Sequence, residues 1–345
     1  MSQVVFKRVS EASPVGIARA IEEALSRISL PVAEVGARPI VKVNAMSDEL
    51  FPGRNTSPWV LDAMLGWLRG HYPDARFVMA DTDVAGSRQF ARACRNWGYD
   101  AIARRHGIEI INLSHAETVA VATGNAALPT LDFPRPVMEA SSIINLPVLK
   151  THVLSGITCA LKNHWGLLPR VRYQFHPILS EVIATINATL RQTVLSVVDG
   201  TVCIEGPGPK TGVPRVANVL FASRDRVAID AAILRFIGMP AAMAPHVARA
   251  AEMGVGTTAF EIDGDAFKPE PFDLPVQSKD LVSLIEARVR AIPVLGKVAY
   301  SPPIARVLGM IGTQYNKLVW MNLHGRAHIR AIQRHHDYGP EFSIR

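Results

Sequence analysis

Short apolar runs separated by helix-length amphipathic stretches constrain this chain more than any other feature. Ile40–Val43, Phe77–Ala80 and Gly107–Leu113 are each too brief for a stable helix and rich in β-branched or aromatic residues, so they predict strands. Between them, Pro58–Gly70 sets Trp59, Leu61, Met64, Leu65 and Leu68 on one helical side, and Arg88–Trp97 predicts a second helix. An earlier helix over 14–28 starts near Pro14. After a stretch read as a loop, Ser114–Pro136, the alternation resumes. It gives a strand at Ser142-Ile143-Ile144, a helix at Ile178–Leu190 and strands at Val194–Val198 and Val219–Ala222. Helices follow at Arg226–Ile237 and Pro245–Met253. A β-α-β-α-β order cannot close as hairpins, because parallel strands need a crossover between them. The expectation is therefore an α/β fold: a mainly parallel sheet with helices on both faces, plus a C-terminal helical extension.

That extension differs in composition. From Leu281 to Arg345 nine Lys/Arg face only Glu286, Asp337 and Glu341, which accounts for most of the chain's net +7. Two helical stretches, Lys279–Ala291 and Pro303–Met310, flank Pro293, and Gln314–His336 spaces its apolar residues as a further helix. The division expected is an α/β core over 1–275 and a basic helical extension over 276–345. His324 and His328 are four apart, a spacing that can chelate a metal, but Gly325 weakens the helix and solvated histidines are the simpler reading. At 48% apolar and 19% charged the chain supports a packed core. The start, MSQVVFKRVSEASP, has no apolar signal core, and no apolar run is long enough to span a bilayer, so a cytoplasmic address is expected. Cys94, Cys159 and Cys203 lie far apart and form no CxxC pair, so neither an Fe–S cluster nor a disulfide framework is expected.

Chemistry concentrates in Asn145–His176. Asn145, Lys150, Thr151, His152, Thr158, Lys162, Asn163, Arg172 and His176 crowd this stretch among apolar neighbours, and between Asp132 and Glu181 the only acid is Glu139. Half-buried cations without local carboxylates predict a site for an anion supplied from outside the chain. His152 is the natural general acid/base, and Lys150 or Lys162 can serve if burial lowers its pKa. Lys42 and Asn44, at the end of a strand, join the anion-gripping set. Gly206 and Gly208, in a Gly/Pro loop, permit close backbone approach to a ligand. Asp81, Asp83, Asp199 and Glu205 would orient the cations or bind a divalent metal; for Asp81 and Asp83 the competing reading is capping of the next helix, with Ser87 an alternative cap.

In order along the chain, KVNA, MADTDVAG, NLPVLKTH, GITCALKNHWGLLP, FHPIL, VVDGTVCIEGPGPKTG and VAIDAAILRFIG resemble the family known as domain of unknown function 362, over about residues 37–258. Many members also carry cysteine-rich ferredoxin segments, which this sequence lacks. His152, the turn Gly156-Ile157-Thr158, Lys162 and Gly166 are similar to a block of the lactate racemase family, where a lysine and a histidine hold a nickel-pincer nucleotide.

The functional expectation is an enzyme acting on a carboxylate- or phosphate-bearing small molecule, by general acid/base proton transfer or by redox chemistry on a cofactor. The rivals are a non-catalytic binding protein for such an anion and a membrane-surface scaffold working through the basic tail. The cofactor is unknown, with a divalent metal or a nucleotide open. The partner expected is an anionic small molecule. No specific nucleic acid is indicated, a membrane surface is allowed but not favoured, and a homo-oligomer stays open.

Overall fold

The computed structural model describes residues 1–84, 88–275 and 302–343. Its centre is a sheet in the order β12 (Phe260–Gly264), β1 (Ser2–Arg8), β11 (Val213–Ser223), β10 (Thr193–Glu205), β7 (Ile143–Asn145), β2 (Ile40–Lys42), β3 (Val78–Asp81), β4 (Glu109–Asn112). The parallel half comprises β2 (Ile40–Lys42), β3 (Val78–Asp81), β4 (Glu109–Asn112), β7 (Ile143–Asn145) and the long β10 (Thr193–Glu205). Lys42 stands opposite both Ala80 and Asn145, so these strands end level with one another. Alternation assigns their side chains to opposite faces. Val41, Met79 and Ile144 enter one apolar cluster, and Ile40, Ala80 and Ile143 enter another. Helices cover both faces. On the first lie α1 (Pro14–Leu25), α2 (Pro58–His71), α3 (Phe90–Asn96) and α4 (Tyr99–Arg105); on the second, α6 (Leu179–Thr189) supplies Val182 and Ile186. The mainly parallel α/β architecture expected from the alternation is the one found.

The helix starts are written in the sequence. Ser13 Oγ accepts from Gly16 N at 3.0 Å and Ser57 Oγ from Val60 N at 3.2 Å, and a proline follows each serine. Asp225 caps α7 (Arg226–Phe236) through the amides of Val227 and Ala228. The helix expected at Arg88–Trp97 is shorter and breaks at Gly98, whose φ of 73° starts α4 in a new direction.

Other elements depart from expectation. β1 (Ser2–Arg8) is a strand, antiparallel to β11 (Val213–Ser223) and parallel to β12 (Phe260–Gly264). Its run Val4-Val5-Phe6 is fully buried in the core. The stretch taken as a loop at Ser114–Pro136 holds the hairpin β5 (Thr118–Asn125) and β6 (Leu128–Pro134). β10 runs on past Asp199 to Glu205, because it pairs first with β7 and then with β8 (Val148–His152). β8 folds back on β9 (Gly156–Thr158), and α5 (Ala160–Asn163) follows directly.

The helix expected at Pro245–Met253 is α8 (Pro245–Glu252), and beyond residue 301 the chain forms one helical run: α9 (Pro302–Tyr315), a π-helical stretch Asn316–Gly325, and α10 (Arg326–His335). The helix expected at Lys279–Ala291, and Ser87 as a cap, lie outside the described residues. The run docks firmly. Ile332, Tyr338 and Phe342 join the first apolar cluster, and the guanidinium of Arg54 lies 4.2 Å from the Phe51 ring and 5.2 Å from that of Trp320. Glu341 accepts from Trp59 N at 3.0 Å and from Ser57 Oγ, at the start of α2.

Candidate functional site

Level strand ends place Lys42, Asn44, Asp81 and Asn145 along one edge of the sheet, and α5 crosses over them. Asp230 holds α5 in place: from α7 its two carboxylate oxygens accept the amides of Ala160 at 2.8 Å and Leu161 at 3.0 Å. Below α5 runs a directional chain of amides. Lys150 Nζ donates to Asn44 Oδ1 at 2.7 Å, Asn44 Nδ2 to Asn163 Oδ1 at 3.0 Å, Asn163 Nδ2 to Asn145 Oδ1 at 2.8 Å, and Asn145 Nδ2 to the Ala160 carbonyl at 3.0 Å. Each link spends both ends of an amide, so the three asparagines lock β2, β7 and α5 together.

Over this platform lies a cavity of about 150 Å³. Lys42, Asn44, His152, Thr158, Lys162, Asn163, Arg172 and His176 line it, joined by Asp81, Trp165, Tyr173 and Lys210. Eight of the sequence-predicted anion-site residues thus come together. Asp81 is the one carboxylate among the described lining residues, and it is spent: it pairs with Lys42 at 3.0 Å and accepts the amides of Ala45 and Thr82. Even so, burial pulls the Lys42 pKa below its ordinary value, Asp81 opposing.

Lys162 is different. No opposing charge among the described residues raises its pKa; burial, then Arg172, brings it down to about 7. Beside it, Thr158 Oγ1 is buried without a hydrogen-bond partner among the described residues. An unanswered ammonium and an orphan hydroxyl on one cavity wall are an incomplete polar environment. His152 accepts the Leu154 amide on Nδ1 at 3.0 Å, which leaves the proton of the neutral ring on Nε2. Arg172 is aimed by the carbonyls of Leu168 at 3.2 Å, Pro169 at 3.4 Å and Asp83 at 3.0 Å.

The other predicted residues take different places. Lys150 is fully buried behind the cavity; burial, then Lys162, pushes its pKa well below the lysine range. It donates to Asn44 Oδ1 and the Arg54 carbonyl, each at 2.7 Å, and to Met46 Sδ at 3.4 Å. Thr151 donates to the Gly206 carbonyl at 2.8 Å, away from the cavity. Gly208 is needed for close approach, but to protein: a Cβ there would meet the Thr151 carbonyl at 2.1 Å. The four carboxylates offered as metal ligands go separate ways. Asp83 accepts the Phe90 amide at the start of α3, as in the capping alternative. Asp199 holds Ser57 N and Thr201, and Glu205 pairs with Arg215 at 2.9 Å. Among the described residues no three His, Cys, Asp or Glu converge as a metal site, and His328 instead stacks on Trp320. The divalent-metal reading therefore lacks a donor set here. A larger cleft of about 1,100 Å³ lies between α2, α4 and the tail helix, but it holds none of the predicted site residues.

Sequence reasoning missed Lys210 and Asp230. Lys210 directly follows the Gly206–Pro209 turn that was singled out, so the loop was the available signal. Asp230 gave none, lying in the apolar run of α7.

The family described as domain of unknown function, DUF362, matches residues 40–235. That is more than half of the chain, and the chain belongs to this family. A thylakoid-associated protein of Synechocystis sp. is 28% identical over 238 residues, covering 66% of this chain and 71% of that protein. Two solved structures are more distant. Lactate racemase apoprotein from Thermoanaerobacterium thermosaccharolyticum has a TM-score of 0.43 at 12% identity, and a Thermotoga maritima protein 0.40 at 11%. They match 65% and 70% of this chain, which spans 54% and 59% of their lengths. No helix among the described residues is long and apolar enough to cross a membrane.

Proposed function

We propose that this DUF362 protein binds a small carboxylate- or phosphate-bearing molecule in the cavity and moves a proton on it through Lys162. The observation that carries this reading is the Lys162 ammonium: half-buried in the cavity wall, unanswered by any described carboxylate there, with burial and Arg172 drawing its pKa down to about 7. An acid or base whose pKa lies near the working pH transfers protons most effectively. Arg172, fixed by its carbonyl contacts, supplies positive charge to the anion, and Thr158 Oγ1 a hydrogen bond. His152, with its proton on Nε2, serves as a hydrogen-bond donor lining the same cavity.

Thermal melts with inorganic phosphate and with oxalate test the binding step. At least one should raise the melting temperature of the native sequence, with the shift lost in Lys162→Met. A second measurement addresses the proton. The rate of Lys162 acetylation, followed by mass spectrometry, should titrate near pH 7. No response to either anion, or titration in the ordinary lysine range near 10.5, overturns the reading.

A further inference from the structure

The tail helix carries an outer surface that none of the described residues covers. Ile304, Val307, Ile311, Leu318 and Leu323 are exposed along it, with Met310 and Val319 at its borders. Their steps of three, four and seven follow one face of an α-helix, and the last step of five, Leu318 to Leu323, falls in the π-helical stretch. The wider π turn keeps the stripe from drifting into the docked face, where Asn316, Met321 and Gly325 are buried. Leu318 is 67% exposed and Leu323 68%, so this is apolar surface left in water. Past Leu323 the exposed positions turn basic, with Arg326, Arg330 and Arg334 four residues apart. No Asp or Glu occurs from 302 to 336.

We propose that this stripe lies on an anionic lipid surface, its apolar length sunk at the acyl boundary and its arginines on headgroup phosphates. An exposed apolar row continued by arginines, without one carboxylate, complements a surface that is oily below and negative above. Leu318 and Arg326 also border the larger cleft between α2, α4 and the tail helix; Ile304, Val307, Ile311 and Leu323 do not. The helix lies on the bilayer and does not cross it, consistent with the absence of a spanning helix among the described residues. Thr313, Asn316 and Lys317, on the same helical run, line a small recess with Met46 and Lys210, which also line the candidate cavity. Docking would therefore hold that cavity close to the membrane.

Co-sedimentation of the full chain with vesicles of phosphatidylcholine, alone or mixed with phosphatidylglycerol, tests the proposal. Binding is expected to the mixed vesicles only and to weaken with salt. Arg330→Gln with Arg334→Gln should lower the partition coefficient roughly thirtyfold, since each basic residue near an anionic surface contributes about 1 kcal/mol. Leu318→Ser with Leu323→Ser should lower it comparably; as exposed sites, both pairs should leave the melting temperature unchanged. No binding to mixed vesicles, or binding that neither pair alters, overturns the proposal. So does a dimer in sedimentation equilibrium that Leu318→Ser with Leu323→Ser converts to monomer, because the stripe is then covered by a second copy.

Discussion

Lys162→Met keeps the apolar stem and deletes the ammonium. The wild-type pKa falls from 10.5 to about 7 in the folded state. A drop of that size corresponds to about 5 kcal/mol of disfavour for the charged form, an upper limit because the cavity admits water to the head. Exchange of a buried charge for apolar volume stabilises by about 1–4 kcal/mol, and a gain in that range is expected here. The sign with pH follows. Between about 7 and 10.5 the unfolded chain holds a proton that folded Lys162 has released, so wild-type stability rises with pH across that window. Below it the cost of the charge is paid in full. The Met variant lacks this slope, so its advantage is largest below pH 7 and fades toward pH 10. Urea unfolding of both proteins from about pH 6 to about pH 10 measures the difference. Phosphate should narrow the gap at the acid end, since an anion that binds only the charged folded form stabilises it by mass action. A variant less stable than wild type at pH 6, with phosphate making no difference, would refute the reasoning: Lys162 would then be answered by a carboxylate and would serve the fold.

Asp230→Asn can accept only one of the two amides at the start of α5, and the group left unmet costs about 1–3 kcal/mol. Burial raises the Asp230 pKa to about 7, so wild-type stability falls as pH rises from about 4 to 7, and the Asn variant should lose that slope in the same urea series. Gly166→Ala puts a methyl group 2.6 Å from Asp81 Oδ1 and 2.9 Å from Lys42 Nζ. Parting that pair should cost about 1–3 kcal/mol in melts, and an unchanged melt would show that the pair yields freely. Phe342→Ala removes a core ring packed edge-on against Trp97 at 6.1 Å, and should cost about 3–5 kcal/mol in urea unfolding; a neutral result would mean that the tail does not dock.

The parallel half of the sheet was legible because β2, β3 and β7 are buried on both faces, so their residues form apolar blocks that end in polar ones. β5 was not, because its alternating partners in TVAVATGN are small alanines and threonines that give a weak period of two. The charge excess in Asn145–His176 pointed to the cavity, since unanswered cations are visible without a fold. What each cation does was not visible. Lys150 and Lys162 are alike in sequence, yet one is caged by the Arg54 carbonyl and Asn44 while the other faces open space. Those partners lie about a hundred residues upstream and meet Lys150 only once β2 and β8 are aligned.

The placement of β1 also governs how the protein is made. Val5 pairs with Ala222 and Val4 with Ile262, so β1 leaves the ribosome well before partners that emerge more than two hundred residues later. At about 5–20 residues per second that wait lasts on the order of ten seconds or longer, during which Val4, Val5 and Phe6 have no sheet to join. The β2–α2–β3 unit needs no such delay, and it already aligns Lys42 with Asp81. β2, α2 and β3 can thus meet on the nascent chain while β11 and β12 are still being translated, and β1 is the apolar strand that waits for them.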